Sequence, residues 1–210
     1  MLIEQINIGC RKSLTVKGRE LVTGIFKERV KGSIPLLELG LTGDVICNKK
    51  HHGGQDQAIY CYSVEDYGWW SKALGREVLF GTFGENFTTS GQDLSEICVG
   101  DLFCSKSVTL QVSAPRIPCN ILASRMNDKD FGKRFMEVGK SGAYCRVLKA
   151  GEAKEGDEFI HKPYDKERIP LKDFLKDVQA KLSTDELRRY LAAPIDERNR
   201  LAFVKKIAAL

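Results

Sequence analysis

The chain has 210 residues, of which 33 are lysine or arginine and 28 are aspartate or glutamate, so its formal net charge is +5. Hydrophobic side chains make up 42% of it and charged ones 29%, a balance that excludes disordered and collagen-like architectures. No run approaches the ~18 apolar residues that span a bilayer, and no basic cluster follows a nucleic-acid backbone, so we expect neither a membrane nor a nucleic acid as partner.

The N-terminal segment and the cysteines indicate a reducing compartment. Residues 1–14 carry polar side chains where a signal peptide has its apolar region. The seven cysteines are an odd number without a Cys-x-x-Cys pair, which argues against a disulfide framework and a four-thiolate zinc site. We therefore expect a cytoplasmic protein whose cysteines are reduced and mostly buried.

Up to about residue 160, short strand-like runs alternate with glycines. The runs are residues 2–9, 13–16, 20–26, 57–63, 96–104, 107–113, 143–151 and 158–162. This spacing predicts an all-β barrel or sandwich. Helices interrupt it after the N-cap residue Ser63, with Gly75 as the stop, again near Pro118, and over residues 128–140. We therefore expect a mainly β domain with some α over residues 1–163.

Residues 164–210 change to a helical period. Pro170 suits a first helical turn, Ser183 and Glu186 form a capping box, and Pro194 breaks the helix that follows. The pattern predicts a C-terminal extension of three short helices. Their apolar stripes need a surface to cover them, which the β domain or a second copy in a homodimer could provide.

The segment 113–126 has the most chemical content. Pro118 suits the first turn of a helix and places Cys119 within that turn, where the helix dipole and the nearby Arg116 favour the thiolate. A thiolate can act as a nucleophile or as a ligand to a soft metal. The two prolines and the arginine favour a functional cysteine over a buried packing residue.

Two glycine-containing turns and three cations complete the candidates. Gly53 and Gly54 allow close approach of a ligand, and His52 before them could orient it or transfer protons, although a histidine capping a turn gives the same pattern. The turn 84–86 offers backbone amides to an oxyanion, but a simple tight turn fits as well. Cations from three separate segments are candidate anion ligands: Lys27, Arg116 and Arg146.

Five motifs follow one another in a characteristic order. They are His-His-Gly-Gly with Asp56 and Ala58 after it, a helix with Tyr-x-x-Trp, Gly-Glu-Asn, Pro-Arg-x-Pro-Cys, and Gly-x-Tyr-x-Arg-Val-Leu. Together they resemble the MOSC domain family and, within it, its YiiM-like members. The resemblance runs from about residue 15 to 160, and the tail resembles the small helical extension of those proteins. It implies a MOSC-type β-barrel.

The resemblance also implies a molybdenum cofactor, molybdopterin with Mo, whose metal is bound by Cys119. Cys119 and His52 would be the catalytic residues. The residues implied in cofactor binding are Lys27, His52, Gly53, Gly54, Asn86, Arg116, Cys119 and Arg146.

The activity that the resemblance implies is that of a molybdenum-dependent reductase of small N-hydroxylated compounds such as 6-hydroxylaminopurine, in detoxification. Electrons would come from a separate flavin reductase. The chain has no Gly-x-Gly-x-x-Gly motif after a predicted strand, so its sequence does not indicate a nicotinamide or flavin site. Two alternatives stay open: a metal-free thiol enzyme with Cys119 as nucleophile and His52 as base, and a non-catalytic carrier of the cofactor or its sulfur.

Overall fold

A computed structural model of the chain describes residues 1–209. Its strands are β1 (Leu2–Gly9), β2 (Lys12–Val16), β3 (Arg19–Thr23), β4 (Lys27–Val30), β5 (Ile34–Leu37), β6 (Gly40–Leu41), β7 (Ile59–Ser63), β8 (Phe87–Ser90), β9 (Leu102–Cys104), β10 (Thr109–Pro115), β11 (Ala143–Lys149), β12 (Gly151–Ala153) and β13 (Ile160–Lys162). Its helices are α1 (Val64–Leu74), α2 (Asn120–Arg125), α3 (Phe131–Val138), α4 (Leu171–Asp177), α5 (Thr184–Ala192) and α6 (Glu197–Ala208).

Eight strands form one sheet in the order β13-β9-β10-β11-β7-β8-β1-β4. Neighbouring strands are antiparallel except β7 and β8, whose parallel pairing needs a crossover that contains α1. The mainly β class with some α is confirmed, at about 30% strand and 27% helix. The sheet is not a closed barrel: within residues 1–209, β13 and β4 stay at its two edges. Backbone hydrogen bonds and one bridge, between Leu2 and Glu158, join the start of β1 to the segment just before β13.

Two small sheets flank the large one. The first contains β12, β5 and β6, and the second is the hairpin of β2 and β3. Lys17 and Gly18 at the hairpin tip both have positive φ, as the tight turn between two twisted strands requires. The hairpin leads directly into the wall of the cavity described below.

The helix ends follow local sequence signals. Ser63 accepts a hydrogen bond from the Asp66 N–H at 3.1 Å and begins α1, which ends at Gly75 with φ 62°. The capping box of Ser183 and Glu186 begins α5, as the sequence predicts. The three predicted tail helices are confirmed, and none of the helices within residues 1–209 is long and apolar enough to cross a membrane.

The tail helices share a hydrophobic cluster with the large sheet. Phe174 and Phe203 from the tail belong to the same buried cluster as Phe103 and Val112 from the sheet. A second, aromatic cluster around Trp70 packs α1 against α3. The β part of the same chain therefore covers Phe174 and Phe203, whereas Leu201 and Val204 on α6 stay about half exposed. The boundary between residues 163 and 164 stays a prediction.

A buried carboxylate fastens the start of the extension. Asp101 is fully buried and accepts hydrogen bonds from the backbone N–H groups of Cys98 at 3.0 Å and Tyr164 at 2.7 Å. His161 and Arg168 pair with the same carboxylate at 2.8 and 3.2 Å. All seven cysteines of the chain are free, and only three of them, Cys61, Cys98 and Cys145, are buried, which is fewer than the sequence predicted.

Candidate functional site

A cavity of about 660 Å³, including its open mouth, lies between the β2–β3 hairpin, the segment 44–53 and the start of α2. Six of the predicted site residues line it: Lys27, His52, Gly53, Asn86, Arg116 and Cys119. The chain thus brings together residues that are up to about 90 positions apart in sequence.

Cys119 is the N-cap residue of α2 rather than part of its first turn. Its φ of −122° and ψ of 166° are extended, and its carbonyl accepts the first helical hydrogen bond, from the Ala123 N–H at 3.2 Å. The helix therefore begins at Asn120, two residues after the predicted start near Pro118, because Cys119 as the N-cap residue keeps non-helical backbone angles. The thiol is half-buried in the cavity wall.

The surroundings of Cys119 favour its thiolate. Burial raises the pKa of the thiol, but the neighbouring His52 imidazole and the Arg116 guanidinium outweigh burial and lower this pKa to about 6. At neutral pH the sulfur is therefore largely ionised. A thiolate of this kind is both a nucleophile and a ligand that soft metals prefer.

Arg116 is a buried cation without a carboxylate partner, and the Cys119 thiolate is the anionic side chain at the cavity that acts on its charge. Arg116 is 4% exposed, its Nη1 has no hydrogen-bond partner, and no carboxylate pairs with it anywhere in residues 1–209. The rings of Tyr60 and Phe135 lie 5.4 and 6.0 Å from its guanidinium carbon. Rings compensate a desolvated charge only in part, so the site favours an anion supplied by a ligand.

Lys27 also lies in the wall, but its charge is already paired. Its ammonium contacts both carboxylate oxygens of Asp44, which also accepts from the Gly9 N–H at 2.6 Å and the Asn86 Nδ2 at 2.9 Å. Burial lowers the pKa of Lys27 despite this pairing. Asp44 was not predicted, since an acidic residue after Thr-Gly is typical of a surface turn.

The turn 84–86 does not present its backbone amides to an oxyanion, because they donate to carbonyls of the protein itself. The backbone N–H groups of Gly84 and Asn86 donate to the carbonyls of Gly81 and Tyr60 at 3.1 and 2.8 Å. Glu85 is fully buried, and its Oε1 accepts from the Tyr67 hydroxyl at 2.6 Å. Burial raises the pKa of Glu85. Asn86 therefore contributes its side chain to the cavity wall, while the turn amides are already used.

His52 reaches the cavity from a loop that ends in two left-handed glycines. Gly53 has φ 78° and Gly54 has φ 82°, a backbone region that favours glycine. A Cβ at Gly53 would lie 2.9 Å from the Ile46 Cδ1, so a larger residue would crowd the wall. Gly54 is not at this cavity but faces a second, more polar one.

Arg146 is the predicted cofactor ligand that the structure places elsewhere. Its Nε pairs with Asp56, and its Nη1 and Nη2 donate to the carbonyls of Pro194 and Ile195, both at 2.7 Å. It faces the second cavity, between residues 53–57 and the tail. Because these contacts already engage its guanidinium, Arg146 serves as a link to the tail and is left out of the anion site.

Two aromatic residues that the sequence did not single out complete the wall. Tyr60 and Tyr144 line the cavity, with ring centroids 5.0 Å apart. They lie on neighbouring strands, β7 and β11, where their pairing places them opposite each other. The period-2 alternation of a strand could have suggested that they share a face, but not that the face borders Cys119.

Comparison with known proteins decides the family. The family model of the MOSC domain matches residues 48–160, which include His52, Asn86, Arg116 and Cys119. The chain belongs to the MOSC domain family. This MOSC protein is 34% identical over 151 residues to protein YflK of Bacillus subtilis, a match that covers 72% of this chain and 68% of that one.

Further relatives make it a YiiM-like member. It is 36% identical over 133 residues to protein YiiM of Escherichia coli, covering 62% of this chain and 59% of that protein. It is 32% identical to a reductase of Gibberella moniliformis over 71% of this chain but 28% of that protein. The crystal structure of YiiM from Geobacillus stearothermophilus superposes with a TM-score of 0.81 at 26% identity, covering 98% of each chain.

Proposed function

We propose that this MOSC protein is a molybdenum cofactor-binding oxidoreductase that reduces small N-hydroxylated compounds such as 6-hydroxylaminopurine. The observation that carries the proposal is the meeting in one cavity of a thiolate-forming Cys119 and a buried Arg116 whose Nη1 has no hydrogen-bond partner. MOSC domains generally bind the molybdenum cofactor, and one relative carries the name reductase. Detoxification of base analogues follows from that substrate class.

The residues present fit the cofactor. The Cys119 thiolate is a suitable ligand for a soft metal, and the unpartnered Nη1 of Arg116 can donate a charge-assisted hydrogen bond to a phosphate oxygen. The cavity is open to solvent, so the part of the cofactor beyond the metal can lie at its mouth. When bound, the molybdenum cofactor supplies a centre that accepts oxygen and exchanges two electrons.

The reduction consumes two electrons and two protons. The N–O bond of R–NHOH breaks, the nitrogen becomes R–NH₂, and the oxygen leaves as water. The electrons come from a separate flavoprotein reductase. His52 lies in the cavity wall beside Cys119, and its imidazole can donate a proton to the departing oxygen as a general acid. Tyr144, which is half-buried in the cavity wall, provides an aromatic ring against which a purine ring can lie.

The test is expression in a host that makes the cofactor, followed by measurement of Mo content and of N-hydroxyl reduction. We expect Cys119→Ser to lower Mo occupancy and abolish reduction. Cys104→Ser is the matched control, because that thiol lies on β9 and does not line the cavity. Equal Mo content and equal activity in wild type and Cys119→Ser would overturn the proposal.

The closeness of His52 to Cys119 also favours a second candidate, a metal-free thiol enzyme with His52 as base. Metal analysis separates the two, since the thiol enzyme would turn over without Mo. A carrier of the cofactor would contain Mo but would show no turnover with an artificial reductant.

A further inference from the structure

The loop that carries His52, residues 48–54, has few hydrogen bonds of its own. The backbone N–H groups of His51 and His52 both donate to the Asn48 carbonyl, at 3.2 and 3.0 Å. After them the chain passes through Gly53 and Gly54, whose backbones are the least restricted of all residue types. Such a loop does not fix the direction of a histidine side chain by itself.

The helical extension supplies the missing contacts. Arg198, in the first turn of α6, donates from Nη1 to the His51 carbonyl at 2.9 Å and from Nη2 to the Lys50 carbonyl at 3.3 Å. These are the two carbonyls directly before His52. A guanidinium binds two acceptors with a planar fork, so it restrains the loop in orientation as well as in position.

The other end of the loop is held by the same segment of the tail. The backbone N–H of Glu197 donates to the Asp56 Oδ2 at 2.6 Å, and Arg146 pairs with the Oδ1 of that carboxylate. Arg146 in turn donates to the carbonyls of Pro194 and Ile195. The tail therefore contacts the chain both before and after His52.

We propose that Arg198 is a positioning residue for His52, so that the C-terminal extension sets the geometry of the cavity. The effect on turnover rests on the function proposed above, but the positioning itself does not. Arg198 does not line the cavity of Cys119, and its hydrogen bonds to the loop go to backbone carbonyls.

The three histidines of the chain make the positioning measurable by NMR. His52 and His51 lie in the loop, while His161 lies on β13, paired with Asp101. In metal-free protein labelled at histidine, we expect Arg198→Ala to shift or broaden the imidazole signal of His52 and to leave that of His161 unchanged. Arg198→Lys, which can reach one carbonyl but lacks the fork, should restore the signal in part.

Arg200→Ala is the matched control. Arg200 lies in the same helix and donates to the carbonyls of Leu191 and Ala193, so its contacts stay within the tail. We expect this variant to leave the His52 signal in place even if it lowers the melting temperature. An unchanged His52 signal in Arg198→Ala, or equal shifts of His52 and His161, would overturn the inference.

A second measurement uses turnover of the Mo-loaded protein with an N-hydroxylated purine. We expect Arg198→Ala to reduce kcat by about 10- to 100-fold at unchanged Mo content, because small displacements of a catalytic group have effects of that size. Unchanged kcat would overturn the positioning role in the reaction. If wild type itself shows no reduction, the proposed function fails, while the NMR result still decides whether Arg198 positions His52.

Discussion

The ammonium nitrogen of Lys27 lies 2.5 Å from each carboxylate oxygen of Asp44, inside the wall of the cavity. The two side chains are 7% and 6% exposed. Their charges cancel locally, so Lys27 is not free to neutralise a ligand. Arg116 remains as the buried cation whose charge a ligand can compensate.

This pairing predicts that removing one partner is costly. We expect Asp44→Asn to lower the free energy of unfolding by about 3 kcal/mol, because it leaves the Lys27 ammonium buried without an opposite charge. The double variant Lys27→Met with Asp44→Asn should lose less than Asp44→Asn alone. Urea unfolding measures both. The exposed pair of Lys12 and Glu28 is the control, and a loss in Glu28→Gln as large as that in Asp44→Asn would contradict the prediction.

Arg116 should matter more for cofactor retention than the metal ligand does. We expect Arg116→Ala to weaken binding by about 1.5 to 3 kcal/mol, since a phosphate loses its charge-assisted hydrogen bond, and to release more pterin on dialysis than Cys119→Ser. Arg116→Lys should fall between, because it keeps the charge but not the fork. Retention that is unchanged in Arg116→Ala would remove Arg116 from the phosphate role.

Glu85 predicts a pH dependence of stability. Burial raises its pKa above the ordinary value of 4.5, so the folded protein holds this proton more tightly than the unfolded chain. The stability that the proton contributes is present below about pH 4.5 and is lost as pH rises through the folded pKa. We therefore expect the stability of Glu85→Gln, minus that of wild type, to increase from pH 4.5 toward neutral pH. Unfolding in urea at several pH values measures this difference. A difference that stays constant with pH would refute the prediction.

Deleting residues 164–210 should expose the sheet rather than yield a free-standing domain. Leu171, Phe174 and Phe203 are buried in the cluster that also contains the sheet residues. We expect the truncated protein to be insoluble, and Phe174→Ala in the full chain to lose about 3 to 5 kcal/mol of stability. Solubility and thermal unfolding measure these effects. A soluble truncated protein with the Mo content of wild type would show that the tail is separable.

Much of the fold was predictable where the signals are local. The N-cap Ser63, the stop at Gly75 and the capping box at Ser183 each depend on a few neighbouring residues. Strands β4 and β5 were missed because Lys27–Val30 lacks apolar alternation and Pro35 interrupts the next run.

The candidate site was predictable only in part, because only those of its residues that are close together in the sequence could be recognised as a group. Cys119 and Arg116 share one short motif and could be found together. Asp44 could not, since its contacts with Gly9 and Asn86 span 35 and 42 positions of chain. Arg146 looked like an anion ligand because the sequence shows its charge but not the carbonyls of Pro194 and Ile195 that it binds.

The unpartnered Nη1 of the buried Arg116 has a consequence for the amount of this protein in a cell. A ligand that brings an anion to Arg116 binds the folded chain and not the unfolded one. Binding of this ligand therefore raises the free energy of unfolding of the protein. Chains made while such a ligand is scarce would unfold more often and be degraded faster, since a change of one or two kcal/mol alters steady-state abundance several-fold. The level of the protein would then follow the supply of its ligand without any change in gene expression.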